Sequence, residues 1–195
     1  MVRRGFADAL SMGSPASGGG SVAAYCGALS AGLSSMVANL TVGKKGYEKS
    51  WEELNRAAVQ AQEAKDALLG LVDLDTAAFN KVMDALRLPK TTEEQTLLRD
   101  AAVGEATKEA TRIPFEVLKL GRTLADLATI TAKKGNRNSL SDAGVAALAA
   151  ALLFVLATIE RRETTRGHAA AAATGSLTGL IAKADTFLRN RNVPL

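Results

Sequence analysis

Residues 14–42 read SPASGGGSVAAYCGALSAGLSSMVANLTV, three consecutive glycines followed by a long run of mostly small side chains. Small residues spaced four apart, such as Gly27 and Ala31, share one face of a helix. Such a face allows a neighbouring backbone to approach unusually closely. The stretch therefore predicts a central helix from about Gly19 to Val42, with Ser17 as its N-cap.

The composition favours closely packed helices over a sheet. Hydrophobic residues make up 47% of the 195 residues and aromatic residues only 4%, so the core has to be built from Ala, Leu, Val and Ile. Sheet sandwiches instead favour aromatic and β-branched residues. The length suits one domain, residues 1–195. We therefore predict an all-α, single-domain bundle of about five to seven helices.

Turn and capping signals predict the boundaries of these helices. Two capping boxes are expected, Thr91 with Glu94 and Ser139 with Asp142. Pro114 is expected to begin or kink a helix. The other predicted helices cover residues 5–12, 48–86, 93–133, 141–159 and a last stretch ending at about 189.

Several classes of protein are disfavoured by the composition. The formal charge of +4 comes without interleaved aromatic residues or a nucleic-acid-binding motif. With one cysteine, Cys26, and one histidine, His168, the chain offers neither an intramolecular disulfide nor a transition-metal cluster. No signal peptide is evident, which favours the cytoplasm. Residues 143–159 are uncharged, but their many alanines favour a buried helix over a membrane span. We expect neither nucleic acid nor a membrane as a partner.

General acid–base catalysis by carboxylates is the enzymatic option that remains. In LVDLDTAAF, Asp73 and Asp75 point to opposite sides of a helix, and Asp75 shares its face with Phe79 and Val82. Asp75 is therefore the candidate for a buried functional carboxylate, with a structural hydrogen bond to a neighbouring helix as an equal alternative. Asp142 is either a helix cap or a second functional carboxylate.

Polar groups near the helix ends are candidates for holding a ligand, each with a plainer structural alternative. The glycine triplet fits a hinge, a close backbone contact or an anion cradle at a helix N-terminus. An amide or lysine at a helix end more often satisfies a backbone group or faces solvent. The candidates are Asn39, Lys44, Lys45, Asn136, Arg137 and Asn138.

Four segments between about Phe6 and Leu153 form a specific set in order and spacing. They read SPASGGGSVAAYCGALSAGLSSMVANLTVGKKGYE from residue 14, DLDTAAFNKVMDALRLPKTTEEQ from residue 73, EATRIPFEVLKL from residue 109 and GNRNSLSDAGVAALAAALL from residue 135. Together they resemble the cyclodeaminase/cyclohydrolase family. That family includes the C-terminal domain of formiminotransferase-cyclodeaminase and stand-alone methenyltetrahydrofolate cyclohydrolases.

The resemblance implies an all-helical fold, a homodimer and folate one-carbon chemistry, with no metal and no cofactor beyond the folate substrate. The implied reactions are hydrolysis of 5,10-methenyltetrahydrofolate to the 10-formyl form and cyclisation of 5-formiminotetrahydrofolate with loss of ammonia. Asp75 and Asp142 become the preferred acid–base pair. The residues implied to bind the tetrahydrofolate derivative are Gly19, Gly20, Ser21, Asn39, Lys44, Lys45, Asn136 and Asn138.

Helix geometry limits how these residues can combine. Ser21 and Asn39 are about 27 Å apart along one helix, so they cannot surround one reacting carbon within a subunit. An antiparallel dimer would bring the glycine turn of one chain near the Asn39–Lys45 end of its partner. We therefore expect a site near the subunit interface, with Lys44 or Lys45 attracting the glutamate carboxylates of the folate.

Two departures from the family pattern bear on activity. Ser17 stands where the family commonly has proline, which leaves the turn intact. Residues 159–195 diverge more strongly, because the family's usual Asn-Val-x-Ile-Asn-like segment is replaced after the apolar helix. If that segment helps to build the pocket, the alternative is a catalytically inactive helical dimer that binds a folate or a protein partner.

Overall fold

The computed structural model describes residues 3–12 and 18–164, with side chains for residues 5–12 and 18–157. Within these residues the chain forms five α-helices and no β-strand, which confirms the predicted all-α fold. The helices are α1 (Arg3–Ser11), α2 (Gly19–Asn39), α3 (Trp51–Leu86), α4 (Glu93–Lys134) and α5 (Leu140–Thr164). Single 3₁₀ turns, Glu48–Ser50 and Arg137–Ser139, precede α3 and α5. The predicted cap Ser17, His168 and the divergent part of the C-terminal segment from residue 165 lie outside the described residues.

Four helices, α2 to α5, form a bundle in which consecutive helices run antiparallel. At one end of α2, Ser21 donates a hydrogen bond to Asp75, and near the other end Ser35 accepts one from Gln62, earlier in α3. The helices α4 and α5 close the bundle, and α1 rests on α2 through the rings of Phe6 and Tyr25, whose centroids are 4.8 Å apart.

The helix α2 is the central element that its small side chains predict. Leu153 of α5 shows why small residues are needed, because it lies between two glycines. A Cβ on Gly27 would overlap the Leu153 side chain, and one on Gly121 of α4 would lie 2.6 Å from Leu153 Cδ2. The buried residues of α2 are Gly20, Ser21, Ala23, Ala24, Gly27, Ala28, Ser30, Ala31, Ser34, Ser35, Val37 and Ala38.

The predicted capping box of α4 is displaced by one residue, whereas the box predicted for α5 stays a prediction. The box at the start of α4 pairs Thr92 with Gln95, one residue later than the predicted Thr91 and Glu94, because the helix begins at Glu93. At the start of α5, Ser139 belongs to the 3₁₀ turn and its hydroxyl accepts a hydrogen bond from the Asn136 side chain. The helix α4 continues through Pro114, which is buried.

The helix α5 is buried on one side only, contrary to the prediction of a core helix. Its outer side exposes Val145, Leu148 and Leu152, with 46–56% of each residue accessible to solvent. By length and apolarity alone, the stretches Gly19–Asn39 and Arg137–Ala157 are able to cross a membrane, with 61% and 28% of their most apolar windows buried. Core helices of soluble proteins meet the same criteria, so this is weak evidence for a membrane.

Close packing at Gly27 predicts a position-specific response to an added methyl group. Gly27→Ala is expected to lower the free energy of unfolding by about 1–3 kcal/mol, because the methyl would overlap Leu153. The matched control is Gly32→Ala in the same helix, where nothing lies within 4 Å of the added methyl. There the better helix propensity of alanine should raise stability by up to about 1 kcal/mol. Urea unfolding measures both variants. Equal changes in the free energy of unfolding for Gly27→Ala and Gly32→Ala would contradict this packing.

Candidate functional site

Asp75 lies against the first turn of α2. The Ser21 hydroxyl donates a hydrogen bond to Asp75 Oδ2 over 2.7 Å. Gly20 makes room for the carboxyl group, since a Cβ at that position would come within 2.8 Å of Asp75 Cγ. The N-cap residue is Gly18 and not the predicted Ser17, and glycine has no side chain that could cap the helix. The glycines therefore allow a close contact between α2 and a carboxylate of α3.

The carboxyl group of Asp75 borders a small, largely apolar cleft. The empty space in the cleft is about 170 Å³, part of which is open to solvent. Three helices besides α3 supply its walls. The lining residues are Gly20, Ala23, Asp75, Ile113, Pro114, Val117 and Ala157. Asp75 is the one ionisable group among them.

This environment changes the acidity of Asp75. Burial raises the pKa of Asp75 above its usual range, because the apolar walls disfavour the charged form, while the hydrogen bonds from Ser21 act in the opposite direction. A carboxylate whose pKa is moved towards neutrality is better suited to accept and return a proton near neutral pH. The arrangement can therefore serve general acid–base chemistry.

The other end of α2 is built mainly from structural contacts. Asn136 is buried, and its backbone N–H donates to Thr41 Oγ1 over 2.9 Å. Its side-chain amide donates to the carbonyl of Leu40 over 3.2 Å and accepts from the backbone of Asn138 over 3.0 Å. Asn136 thus holds the α4–α5 turn against the end of α2, and its polar atoms are largely used within the chain.

Five further predicted site residues lie near that same end. Asn39, Lys44, Lys45 and Asn138 are exposed, and Asp142 is half-buried in the first turn of α5. The Asn39 amide makes a 3.5 Å contact with Ser35 Oγ. The loop that carries the lysines turns through two glycines with positive φ, 82° at Gly43 and 92° at Gly46.

The predicted residues thus fall into two groups at opposite ends of the bundle. Gly19, Gly20, Ser21 and Asp75 form one group. In α5, Asp142 precedes the cleft residue Ala157 by about 15 residues, or about 22 Å along the helix. Within one chain the structure does not bring Asp75 and Asp142 together, so their pairing stays a prediction that requires a second subunit.

Sequence reasoning missed the walls of the cleft. Ile113, Pro114 and Val117 come from the motif that contributes to the family resemblance, but their position beside Asp75 depends on how α3 and α4 pair. Thr76 was also missed, although its hydroxyl lies 3.4 Å from that of Ser21. Among the described residues, no cluster of three histidine, cysteine, aspartate or glutamate side chains is able to hold a metal.

Replacing the carboxyl group of Asp75 by an amide is expected to raise stability in a pH-dependent way. Because the folded-state pKa of Asp75 is raised, its ionisation costs stability as the pH rises from about 4, the ordinary aspartate value, through the folded-state pKa. Asp75→Asn should therefore have a higher Tm relative to the wild type at pH 7 than at pH 3.5. Asp73→Asn, a change at an exposed position of α3, is the control and should show a smaller pH dependence. A Tm difference for Asp75→Asn that did not grow with pH would count against a desolvated carboxyl group.

Comparison with known proteins relates this geometry to a family. Residues 3–160 match the sequence profile described as formiminotransferase-cyclodeaminase. A methenyltetrahydrofolate cyclohydrolase from Methylorubrum extorquens is 43% identical over 145 residues, which cover 74% of this chain and 70% of that protein. A formimidoyltransferase-cyclodeaminase from Mus musculus is 38% identical over 75% of this chain, although the match spans only 27% of the mouse protein.

A solved structure agrees with the sequence matches. The crystal structure of formiminotetrahydrofolate cyclodeaminase from Thermotoga maritima superposes with a TM-score of 0.73 at 27% identity, covering 96% of this chain and 89% of that one. The profile match extends over most of the sequence, including all five helices up to residue 160. The chain therefore belongs to the formiminotransferase-cyclodeaminase family, as the four sequence segments predicted.

Proposed function

We propose that this protein is a folate enzyme that hydrolyses 5,10-methenyltetrahydrofolate to 10-formyltetrahydrofolate, with Asp75 as its general base. The observation that carries the proposal is the half-buried Asp75 carboxyl group, packed on Gly20 and hydrogen-bonded by Ser21 at the glycine-rich start of α2, in a chain of this family. Cyclisation of 5-formiminotetrahydrofolate with loss of ammonia is the second candidate, supported by the related cyclodeaminases. The higher identity to a cyclohydrolase, over more of that protein's length, favours hydrolysis.

The proposed hydrolysis needs a base and an acid but no redox step. The bridging methenyl carbon of the substrate is part of an amidinium-like cation and is already electrophilic. Asp75 accepts a proton from a water molecule while the oxygen of that water bonds to the methenyl carbon. The product of this step is a neutral tetrahedral adduct. The bond to N5 then breaks as the carbonyl forms, N5 receives a proton, and one proton is released overall. The protonated Asp75 can return its proton to N5 in the second step, while the proton of the adduct hydroxyl leaves to solvent.

The same groups suit the cyclisation. There Asp75 would take the proton from N10 as that nitrogen attacks the formimino carbon, and an acid would protonate the departing ammonia. In both reactions a carboxylate beside a cationic carbon also stabilises its charge. The two candidates therefore differ in substrate and not in the catalytic group.

A homodimer completes the proposed site. The cleft beside Asp75, whose roughly 170 Å³ of empty space is partly open to solvent, does not enclose a molecule as long as a folate. The outer side of α2 exposes Leu29 and Met36, Leu40 is exposed directly after the helix, and the outer side of α5 is likewise apolar. Antiparallel packing of two copies through such surfaces would bring Asp142 of the second copy towards Asp75 of the first.

The remaining polar candidates would then act on other parts of the substrate. In this dimer Lys44 and Lys45 of the second copy are exposed cations near the long folate, where they attract its glutamate carboxylates. Asn39 and Asn138 lie at the same end. The protein is proposed to be a soluble, cytoplasmic enzyme that requires no cofactor beyond its folate substrate.

The first test is turnover, followed by the absorbance of methenyltetrahydrofolate. The wild type should accelerate its loss, and Asp75→Asn should lower kcat by about 10²–10⁴-fold, as expected when a general base is removed. Asp73→Asn, exposed on the same helix, should retain wild-type turnover. An inactive wild type that still binds the folate would support the alternative of a catalytically inactive binding protein.

A mixing experiment tests whether two subunits share the site. Asp75→Asn and Asp142→Asn are each expected to be nearly inactive alone. Equal amounts, unfolded and refolded together, should recover about a quarter of wild-type activity, because half of randomly formed dimers contain one intact site of two. If the mixture stays as inactive as its components while forming mixed dimers, Asp142 of the partner does not serve the Asp75 site.

A further inference from the structure

We propose that Ser21 is a positioning residue that holds the Asp75 carboxyl group in its reactive orientation, and that it does not bind substrate. The inference rests on the proposed function, since it concerns the base of that reaction. It also reassigns Ser21, which the family resemblance places among the substrate-binding residues.

Burial is the first support for this assignment. Ser21 is 0% accessible to solvent, although it lies in the first turn of the helix. Asp75, in contrast, is only half-buried and borders the cleft. In this arrangement a ligand in the cleft meets Asp75 and not the Ser21 hydroxyl.

The hydrogen bonds of Ser21 are the second support. A serine hydroxyl has a single proton to donate. The shortest contact of Ser21 Oγ is the one to Asp75 Oδ2, at 2.7 Å, while Val72 O is 3.5 Å away and Thr76 Oγ1 is 3.4 Å away. The proton is therefore directed to the carboxylate.

Gly20 constrains the same carboxyl group from a neighbouring position. A Cβ there would lie 2.8 Å from both Cγ and Oδ2 of Asp75, so the carboxyl group packs directly on the α2 backbone. The Gly20 backbone, the Ser21 hydroxyl and the hydrogen bond from the Ser21 backbone together restrict the rotation of the Asp75 side chain. Such pre-organisation lowers the cost of reaching the reactive geometry.

The hydrogen bond also sets the pH range in which the base is ionised. Because it stabilises the carboxylate, it offsets part of the increase in the pKa of Asp75 that burial causes. Among the residues that line the cleft from α2, α4 and α5, none carries a charge that would substitute for it. Without the hydroxyl, Asp75 would stay protonated to a higher pH.

The test compares Ser21→Ala with Ser30→Ala. Ser30 is a matched control because it is also fully buried in α2 and its hydroxyl donates over 2.7 Å, but to the carbonyl of Ala146. Ser21→Ala should lower kcat about tenfold with little change in KM. It should also move the acidic limb of the pH–rate profile up by about 1 unit, as expected for a lost hydrogen bond to a charged group. Ser30→Ala should leave both the limb and kcat near the wild-type values.

Two results would overturn the proposal. One is a higher KM for Ser21→Ala with an unchanged kcat and acidic limb, which would indicate contact with substrate. The other is an equal response of Ser21→Ala and Ser30→Ala, which would indicate a general packing role. If Ser21→Ala does not fold, Ser21→Cys provides the test, because a thiol is a weaker donor and should move the limb in the same direction. A Ser21→Cys profile that coincides with the wild type would contradict the assignment.

A titration separates this inference from the proposed reaction. The carboxyl carbon of Asp75, followed by ¹³C NMR without substrate, should titrate at a higher pH in Ser21→Ala than in the wild type and Ser30→Ala. That result would support positioning by Ser21 even if the wild type turned over neither methenyltetrahydrofolate nor formiminotetrahydrofolate. Unchanged titration in Ser21→Ala would refute it even if the enzyme were active.

Discussion

The close approach of the α2 backbone to its neighbours is the constraint on which the rest of the structure depends. Gly27 admits the side chain of Leu153, and Gly20 admits the carboxyl group of Asp75. One contact packs the bundle and the other builds the cleft, and both require the absence of a Cβ. The same feature of the sequence, a helix with few large side chains, therefore determines both the packing and the candidate site.

At the proposed site, stability of the folded chain is exchanged for reactivity of the Asp75 carboxyl group. An aspartate against apolar walls is costly to ionise, and its hydrogen bond to Ser21 recovers only part of that cost. Proteins commonly keep such groups where their chemistry is used. In this chain the apolar walls come from α4 and α5, so the acidity of a residue in α3 depends on helices that are distant in sequence.

Local signals in the sequence predict the helices well, because capping and side-chain size act over a few residues. The central α2, the long α3 and α4 and the greater burial of Asp75 than of Asp73 all follow from spacing and composition. The capping box at Thr92 lies one residue after the predicted one. Thr91 and Thr92 have the same side chain, so the sequence does not indicate which of them caps the helix. The buried structural role of Asn136 depends on the approach of Leu40 and Thr41, which are remote in sequence.

The relation between the predicted site residues could not be obtained from the sequence alone. The family resemblance implies that Asp75 and Asp142 act as a pair. Within one chain, however, Asp142 lies in α5 at the opposite end of the bundle from the cleft. Similarly, uncharged residues 143–159 suggested a core helix, although Val145 and Leu148 face outward. Both cases depend on which surface of a helix meets another element, and contacts between residues distant in sequence, or on different chains, decide that.

The central claim is that the reacting carbon of a folate lies at Asp75. A crystal structure of the full chain with a bound, non-hydrolysable methenyltetrahydrofolate analogue tests it most directly. The account predicts the one-carbon atom, or a water in contact with it, within hydrogen-bonding distance of an Asp75 carboxylate oxygen, about 2.6–3.2 Å. An analogue whose one-carbon atom lay at the Asn39–Lys45 end, with Asp75 of neither subunit nearby, would contradict it.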